Sequence, residues 1–154
     1  VPKIDIENTP LITGTGYPAL YARAVAGRSK KRLGDAGGLA QYGVNLTTLK
    51  PGAASAHRHW HQNEDEFIYV ISGEAVLVED SGECALKAGD AAAFPAGAAN
   101  GHHLVNRSGS DVVYLEIGTR AETEVVEYTD PAIDLRAVKD GSGWRYERRN
   151  GAPW

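Results

Sequence analysis

Methionine is absent from all 154 residues, and cysteine occurs once, at Cys84. A lone cysteine excludes an intrachain disulfide, so the fold has to be held by packing. Cys84 has no His or Lys beside it in sequence and reads as a small buried filler rather than a reactive thiol. Position 1 is Val, so the sequence reads as a processed or trimmed chain. A targeting segment removed ahead of it is compatible with this, and the expected location is the cytoplasm. No run approaches the roughly 20 apolar residues of a membrane-spanning helix, so no membrane partner is expected. Excess positive charge is missing too: 16 Lys and Arg stand against 20 Asp and Glu, a formal net charge of −4. An acidic chain is a poor match to phosphate backbones, which excludes nucleic acid as the expected partner. Nor does any segment hold an apolar period of 3.6 residues through three turns without glycine or proline. Long helices are therefore not expected.

The 18 glycines and 7 prolines punctuate short β-type runs instead. Strands are expected over 42–49, 66–71, 75–79, 84–87, 91–94, 102–106 and 112–117. Pro51-Gly52, Ser72-Gly73, Asp80-Ser81-Gly82, Ala88-Gly89-Asp90 and Pro95-Ala96-Gly97 supply turns between them. The pattern predicts one all-β domain over 1–154, with a barrel-like core over about 39–118. An N-terminal arm (1–38) and a C-terminal arm (119–154) flank it, the latter with alternating runs at 124–128 and 144–148. Tyr42, Val44 and Leu46 share a strand face and read as core. In 66–71 both faces are largely apolar: Phe67, Tyr69 and Ile71 on one, Ile68 and Val70 on the other. A barrel interior can take only one face, so the other predicts a cover, and a homodimer is expected. The basic run Arg28-Ser29-Lys30-Lys31-Arg32 reads as a solvated loop, with an anion-docking site for a substrate or partner as the alternative.

The histidines carry the chemistry. All 5 lie in two clusters, His57-Arg58-His59-Trp60-His61 and His102-His103, the first followed by Glu64-Asp65-Glu66. On a strand, alternate positions project to one face, so His57, His59 and His61 would point together, with Trp60 opposite. Imidazoles converging with a carboxylate make a nitrogen and oxygen site for a transition metal. Of His102 and His103, only one can enter a given cavity.

The stretch from Gly52 to Gly73 resembles the first motif of the cupins, with His59, His61, Glu66 and Gly73 in register. The leading gap from Gly52 is one residue longer than in that pattern. Gly89, Pro95, Gly97, His102 and Asn106 resemble the second motif, with the gap after Gly97 widened from two residues to four. That spacing selects His102 over His103. The resemblance, to small stand-alone single-domain cupins of uncertain activity, implies a double-stranded β-helix (jelly-roll) barrel. It also implies one divalent metal ion (Fe, Mn, Ni, Co or Zn) held by His59, His61, Glu66 and His102. His57, on the expected ligand face, is the candidate general acid or base, with a rim or hydrogen-bonding role as the alternative. An open site of this kind predicts a metal-dependent enzyme acting on an oxygen-rich small molecule. The expected chemistry is that of an isomerase or lyase, such as a sugar-phosphate isomerase, or of a dioxygenase. The alternative is a non-catalytic module that binds or senses a small molecule.

Overall fold

Gly73 is where the barrel turns its first corner, and only glycine fits there. Its φ is +80°, and a Cβ would stand 2.4 Å from the Asp111 carbonyl oxygen and 2.9 Å from the Val112 Cα. Both obstacles are backbone, so neither can swing aside. The computed structural model describes residues 2–154. From the N-terminus run β1 (Leu11–Thr13), β2 (Arg28–Arg32), α1 (Leu33–Ala36), β3 (Tyr42–Leu49), β4 (His59–His61) and β5 (Glu66–Ser72). Then come β6 (Glu74–Glu79), β7 (Gly82–Lys87), β8 (Ala91–Phe94), β9 (His102–Val105) and β10 (Val112–Thr119). The chain ends in β11 (Glu124–Tyr128), β12 (Arg136–Asp140) and β13 (Gly143–Glu147). Among the described residues no helix is long and apolar enough to cross a membrane.

Two antiparallel sheets result, in the orders β1-β2-β3-β10-β5-β8 and β13-β12-β11-β4-β9-β6-β7. The expected all-β jelly roll is what forms. Its core packs Leu49, Ile68, Val70, Leu77, Leu104, Val112 and Tyr114 between the sheets. Each such side chain stabilises the fold by roughly 1.5–3 kcal/mol relative to exposure. Asn106 closes the end of β9: its side-chain amide donates to the Leu49 and Ser110 carbonyls at 2.9 and 2.8 Å, and its oxygen accepts from Ser108.

Both arms enter the sheets. β2 pairs with β3 along its whole length, so the basic run is a strand and not a solvated loop. β11 pairs with β4, and a second core of Tyr17, Tyr21, Val25, Val126, Tyr128, Ile133, Leu135 and Ala137 joins the two arms.

One assignment made from alternation reverses. On β3 it is Thr47 and Leu49 that are fully buried, whereas Tyr42 is exposed and Val44 and Leu46 lie half-buried on the outer face. The outer sheet face is so apolar that alternation could not tell in from out. Phe67, Tyr69 and Ile71 crop out on that same outer face of β5, each about 40–46% exposed, while Ile68 and Val70 are buried. Cys84 is exposed on β7 rather than buried: it shares a face with Leu86, but β7 is the edge strand of its sheet and that face is open at Cys84.

Candidate metal centre

Three strands bring the site together. β4 contributes His59 and His61 by alternation, β9 contributes His102, and β5 contributes Glu66 at its first residue. The ladder does the placing: His59 lies opposite His102 across β4 and β9, and Glu66 lies opposite Phe94 across β5 and β8. Phe94 stacks flat on the His102 ring, with centroids 3.6 Å apart, and so fixes its plane.

Three imidazoles surround one carboxylate oxygen. Glu66 Oε2 is 3.0 Å from His102 Nε2, 3.5 Å from His61 Nε2 and 3.9 Å from His59 Nε2. Donor atoms of His59, His61 and Glu66 all lie within 4.8 Å of one another. With metal–ligand bonds of about 2.0–2.2 Å, neighbouring ligand atoms stand about 3–3.6 Å apart, so the set is close to what one ion requires. The tautomers agree. His59 Nδ1 lies 2.7 Å from the His57 carbonyl and His102 Nδ1 lies 3.1 Å from the Asn100 carbonyl. Carbonyls only accept, so both Nδ1 atoms carry hydrogen, and in the neutral ring each Nε2 is free to serve as a metal ligand. His102 Nε2, 3.0 Å from the Glu66 oxygen, needs a cation across that contact, either a proton or a metal ion. His59, His61 and Glu66 fit a divalent ion by spacing, and His102 adds a fourth donor of the same chemistry beside Glu66.

The electrostatics point the same way. Burial pushes His59 down to about 4, against the pull of Glu66. For His61 burial also opposes the charge, but its hydrogen bond and charge interaction with Glu66, helped by Glu124 and Glu64, raise it above the usual value. Glu66 is buried, which opposes its charge, yet hydrogen bonds from His102 and His61 hold it well below the usual carboxylate range.

His57 is placed elsewhere. β4 begins only at His59, so His57 does not join the ligand face. Its ring packs on Tyr17 and Tyr21, with its Nε2 2.8 Å from the Tyr21 carbonyl. It does not line the cavity. Its contact with the centre is through its carbonyl, which orients His59. His103 alternates away from His102 and ends 2.7 Å from the Ala56 carbonyl.

The cavity around the four ligands has a volume of about 710 Å³. Several of its groups were not singled out from sequence. Glu64 and Glu124 stand 3.9 and 3.7 Å from His61 Nδ1, which has no hydrogen-bond partner among the described residues. Burial raises Glu64 above the usual carboxylate range, while the Ala121 amide donates to it at 3.0 Å. Tyr17, Tyr128 and Tyr146 come from both arms and form an aromatic wall, with the Tyr128 ring 5.7 Å from His59. Arg28, Lys30 and Arg32 also face the cavity from β2. Their spacing of two residues was the available signal, hidden by the neighbouring Lys31.

Comparison with known proteins places this geometry. The cupin domain family matches residues 45–118. A sugar phosphate isomerase of the cupin superfamily from Silicibacter pomeroyi is 46% identical, with a TM-score of 0.95 over 99% of this chain and 96% of its own. A proposed sugar phosphate isomerase from Acidithiobacillus ferrooxidans is 31% identical, with a TM-score of 0.73 over 82% of this chain and 80% of its own. The polyketide cyclase RemF from Streptomyces resistomycificus shares the fold at 18% identity, with a TM-score of 0.64 over 77% of this chain and 79% of its own. No curated protein matches the chain. Two motifs in order, one jelly-roll barrel and a relative matching along nearly the whole chain lead to one assignment: the chain belongs to the cupin superfamily.

Proposed function

We propose that this protein is a metal-dependent isomerase of an oxygen-rich small molecule, with a sugar phosphate as the first substrate class. The observation that supports the metal is the convergence of three imidazoles on the Glu66 carboxylate, with the Nδ1 atoms of His59 and His102 held by backbone carbonyls so that each Nε2 can serve as a ligand. Support for the substrate class comes from the relative that is 46% identical. A divalent transition ion held by His59, His61, Glu66 and His102 supplies Lewis acidity, drawing electron density from a substrate carbonyl. These ligand types suit iron, manganese, nickel, cobalt or zinc and do not select among them.

The chain's own residues supply the remainder. Isomerisation of a hydroxy carbonyl compound moves one proton between neighbouring carbons and a second from the hydroxyl oxygen to the former carbonyl oxygen. Glu64 lines the cavity, and burial raises it toward the range where a carboxyl both takes and returns a proton. The wall of Tyr17, Tyr128 and Tyr146 lines the cavity and leaves less room for water around a substrate. The Phe94 stack and the carbonyls of His57 and Asn100 hold the imidazoles so that they need not reorganise.

The test is solvent-deuterium incorporation into a panel of sugar phosphates by metal-loaded protein. Exchange at the carbon beside the carbonyl is expected, and Glu64→Gln is expected to abolish it while metal content stays the same. Saturable binding without exchange or turnover across the panel would replace the enzyme by a binding module. Oxygen uptake by the iron-loaded form would replace isomerisation by oxidation.

We also propose a homodimer. Tyr42, Phe67, Tyr69 and Ile71 form a patch of large exposed apolar side chains on the outer face of one sheet. Such a patch favours a cover of like character. Light scattering at micromolar concentration should give twice the chain mass, and Tyr69→Glu should give the monomer.

A further inference from the structure

β2 carries a cation at every inward position. Arg28, Lys30 and Arg32 face the cavity, while Lys31 turns outward and donates to the Ile6 and Glu7 carbonyls at 2.7 and 3.0 Å. The three inward cations are not equivalent. Lys30 is neutralised by Glu116 at 2.7 Å, and Asn45 donates to the same carboxylate oxygen at 3.1 Å. Arg28 is half-buried, and its only hydrogen bond among the described residues goes to the Ser55 carbonyl. Neither Arg28 nor Arg32 makes an ion pair among the described residues. A guanidinium drawn out of water without an anion is costly, so its place here needs a reason.

A second observation lies on the neighbouring strand. Tyr114 on β10 is 1% exposed, it lines the same cavity, and its hydroxyl has no hydrogen-bond partner among the described residues. A buried hydroxyl left unmatched is uncommon, and this one is free to donate to a ligand in the cavity. Tyr114 lies opposite Thr47, and Thr47 opposite Lys30, so the phenol stands in the cross-strand row of the inward cations of β2. Burial first, then the charges of Glu116 and Glu66, hold it well above the usual phenol range against the pull of Arg28, so it is available as a hydrogen-bond donor. Tyr128 connects this corner to the metal ligands, through its contact with His59.

We propose that Arg28 and Tyr114, with Arg32 at the rim, form an anion subsite that takes the phosphoryl group of the substrate. A phosphoryl group suits this corner better than a carboxylate. Its third oxygen can meet the phenol while two others meet the guanidinium fork. The substrate then lies with its phosphate toward β2 and its carbonyl and hydroxyl oxygens toward His59, His61, Glu66 and His102. This orientation rests on the isomerase reading above, whereas the anion subsite itself stands on Arg28 and Tyr114 alone.

Inorganic phosphate is the probe, titrated by calorimetry at low ionic strength into the full chain, with and without metal. Saturable binding is expected in both forms. Arg28→Gln should weaken it at least about tenfold and Tyr114→Phe about threefold to tenfold, the loss of a charge-assisted and of a neutral hydrogen bond. Lys31→Gln, on the outer face, should leave it unchanged. If Arg28→Gln does not fold, Tyr114→Phe, which removes one oxygen atom, decides the matter. Phosphate affinity equal to wild type in the variants, no saturable binding to wild type, or acetate competing as well as phosphate overturns the proposal. Protein that binds no metal and turns nothing over, yet holds phosphate through Arg28, removes only the isomerase reading. Metal-loaded protein that turns over without Arg28-dependent phosphate binding removes only the subsite.

Discussion

Glu66→Gln should have opposite effects with and without metal. In the protein stripped by a chelator, measured at pH 9 to disfavour a bridging proton, His102 Nε2 faces a carboxylate oxygen 3.0 Å away, with His61 Nε2 at 3.5 Å behind it. Glutamine keeps the shape, removes the charge and offers an N–H to those nitrogens. Replacing a repulsive contact by a neutral hydrogen bond stabilises by about 1 kcal/mol. For a chain of 154 residues that raises the melting midpoint by about 2–4 °C. With the ion present the sign reverses. A metal at 100 times its dissociation constant stabilises the wild type by about 2.7 kcal/mol, or about 5–11 °C. Glutamine withdraws the only anionic ligand, so most of that shift should vanish at the same metal concentration. Differential scanning calorimetry of both proteins in chelator and in excess zinc or manganese makes the four measurements. A variant no more stable than wild type in chelator, with an undiminished metal shift, would refute the reasoning that a cation belongs among these four side chains.

His57→Ala should cost stability and spare the reaction. The variant loses the hydrogen bond to the Tyr21 carbonyl and the packing on Tyr17 and Tyr21, worth together about 1–3 kcal/mol by chemical denaturation. Turnover per bound metal should stay within a few-fold of wild type, and its loss at full metal content would restore the acid–base role. Apparent metal affinity should climb about tenfold per pH unit through the range where His61 holds a proton, and level off above it. His61 is raised, so its proton competes beyond 6.5, whereas His59, lowered to about 4, competes only in acid. In the metal-free protein the two act oppositely on stability. His61 contributes fully below 6.5 and fades as pH rises through its raised value, while the His59 contribution is present above 6.5 and is lost as pH falls toward about 4. Competition titrations with a chromophoric chelator from pH 5 to 9 read the slope, and a flat profile would exclude His61 as a ligand.

Residues whose neighbours in sequence are also their neighbours in chemistry were legible. His59 and His61 alternate on one short strand, and the spacing from His102 to Asn106 separates the inward histidine from the outward one. β3, β8 and β11 run over the expected residues, with Gly52 after β3 and Gly89 and Gly97 around β8. Alternation misled where both faces of a strand are apolar: on β3 the inward residues are Asn45, Thr47 and Leu49, which looked like the polar face, because the outer face carries Tyr42, Val44 and Leu46. His57 misled for a different reason, since periodicity was carried two residues beyond where the strand begins. β12 was missed because its run Arg136-Ala137-Val138-Lys139-Asp140 is short and strongly charged, and pairing with β11 and β13 on either side is what makes it a strand.

The division between what was read and what was missed follows the division of labour in the molecule. The four side chains of the candidate metal centre lie between residues 59 and 102, within motifs whose spacing a barrel dictates. Much of what shapes the space beside the ion comes from outside that interval: Arg28 and Tyr17 from one arm, Tyr128 and Tyr146 from the other. Their positions depend on pairings across distant sequence, β2 on β3 and β11 on β4, which no local pattern encodes. A barrel that keeps the same four ligands can thus exchange its arms and meet a different molecule without disturbing the centre. Catalytic chemistry should accordingly follow the motifs, and substrate choice the arms. An arm-borne substitution such as Arg28→Gln should move KM far more than metal affinity, because the guanidinium is not among the groups surrounding Glu66.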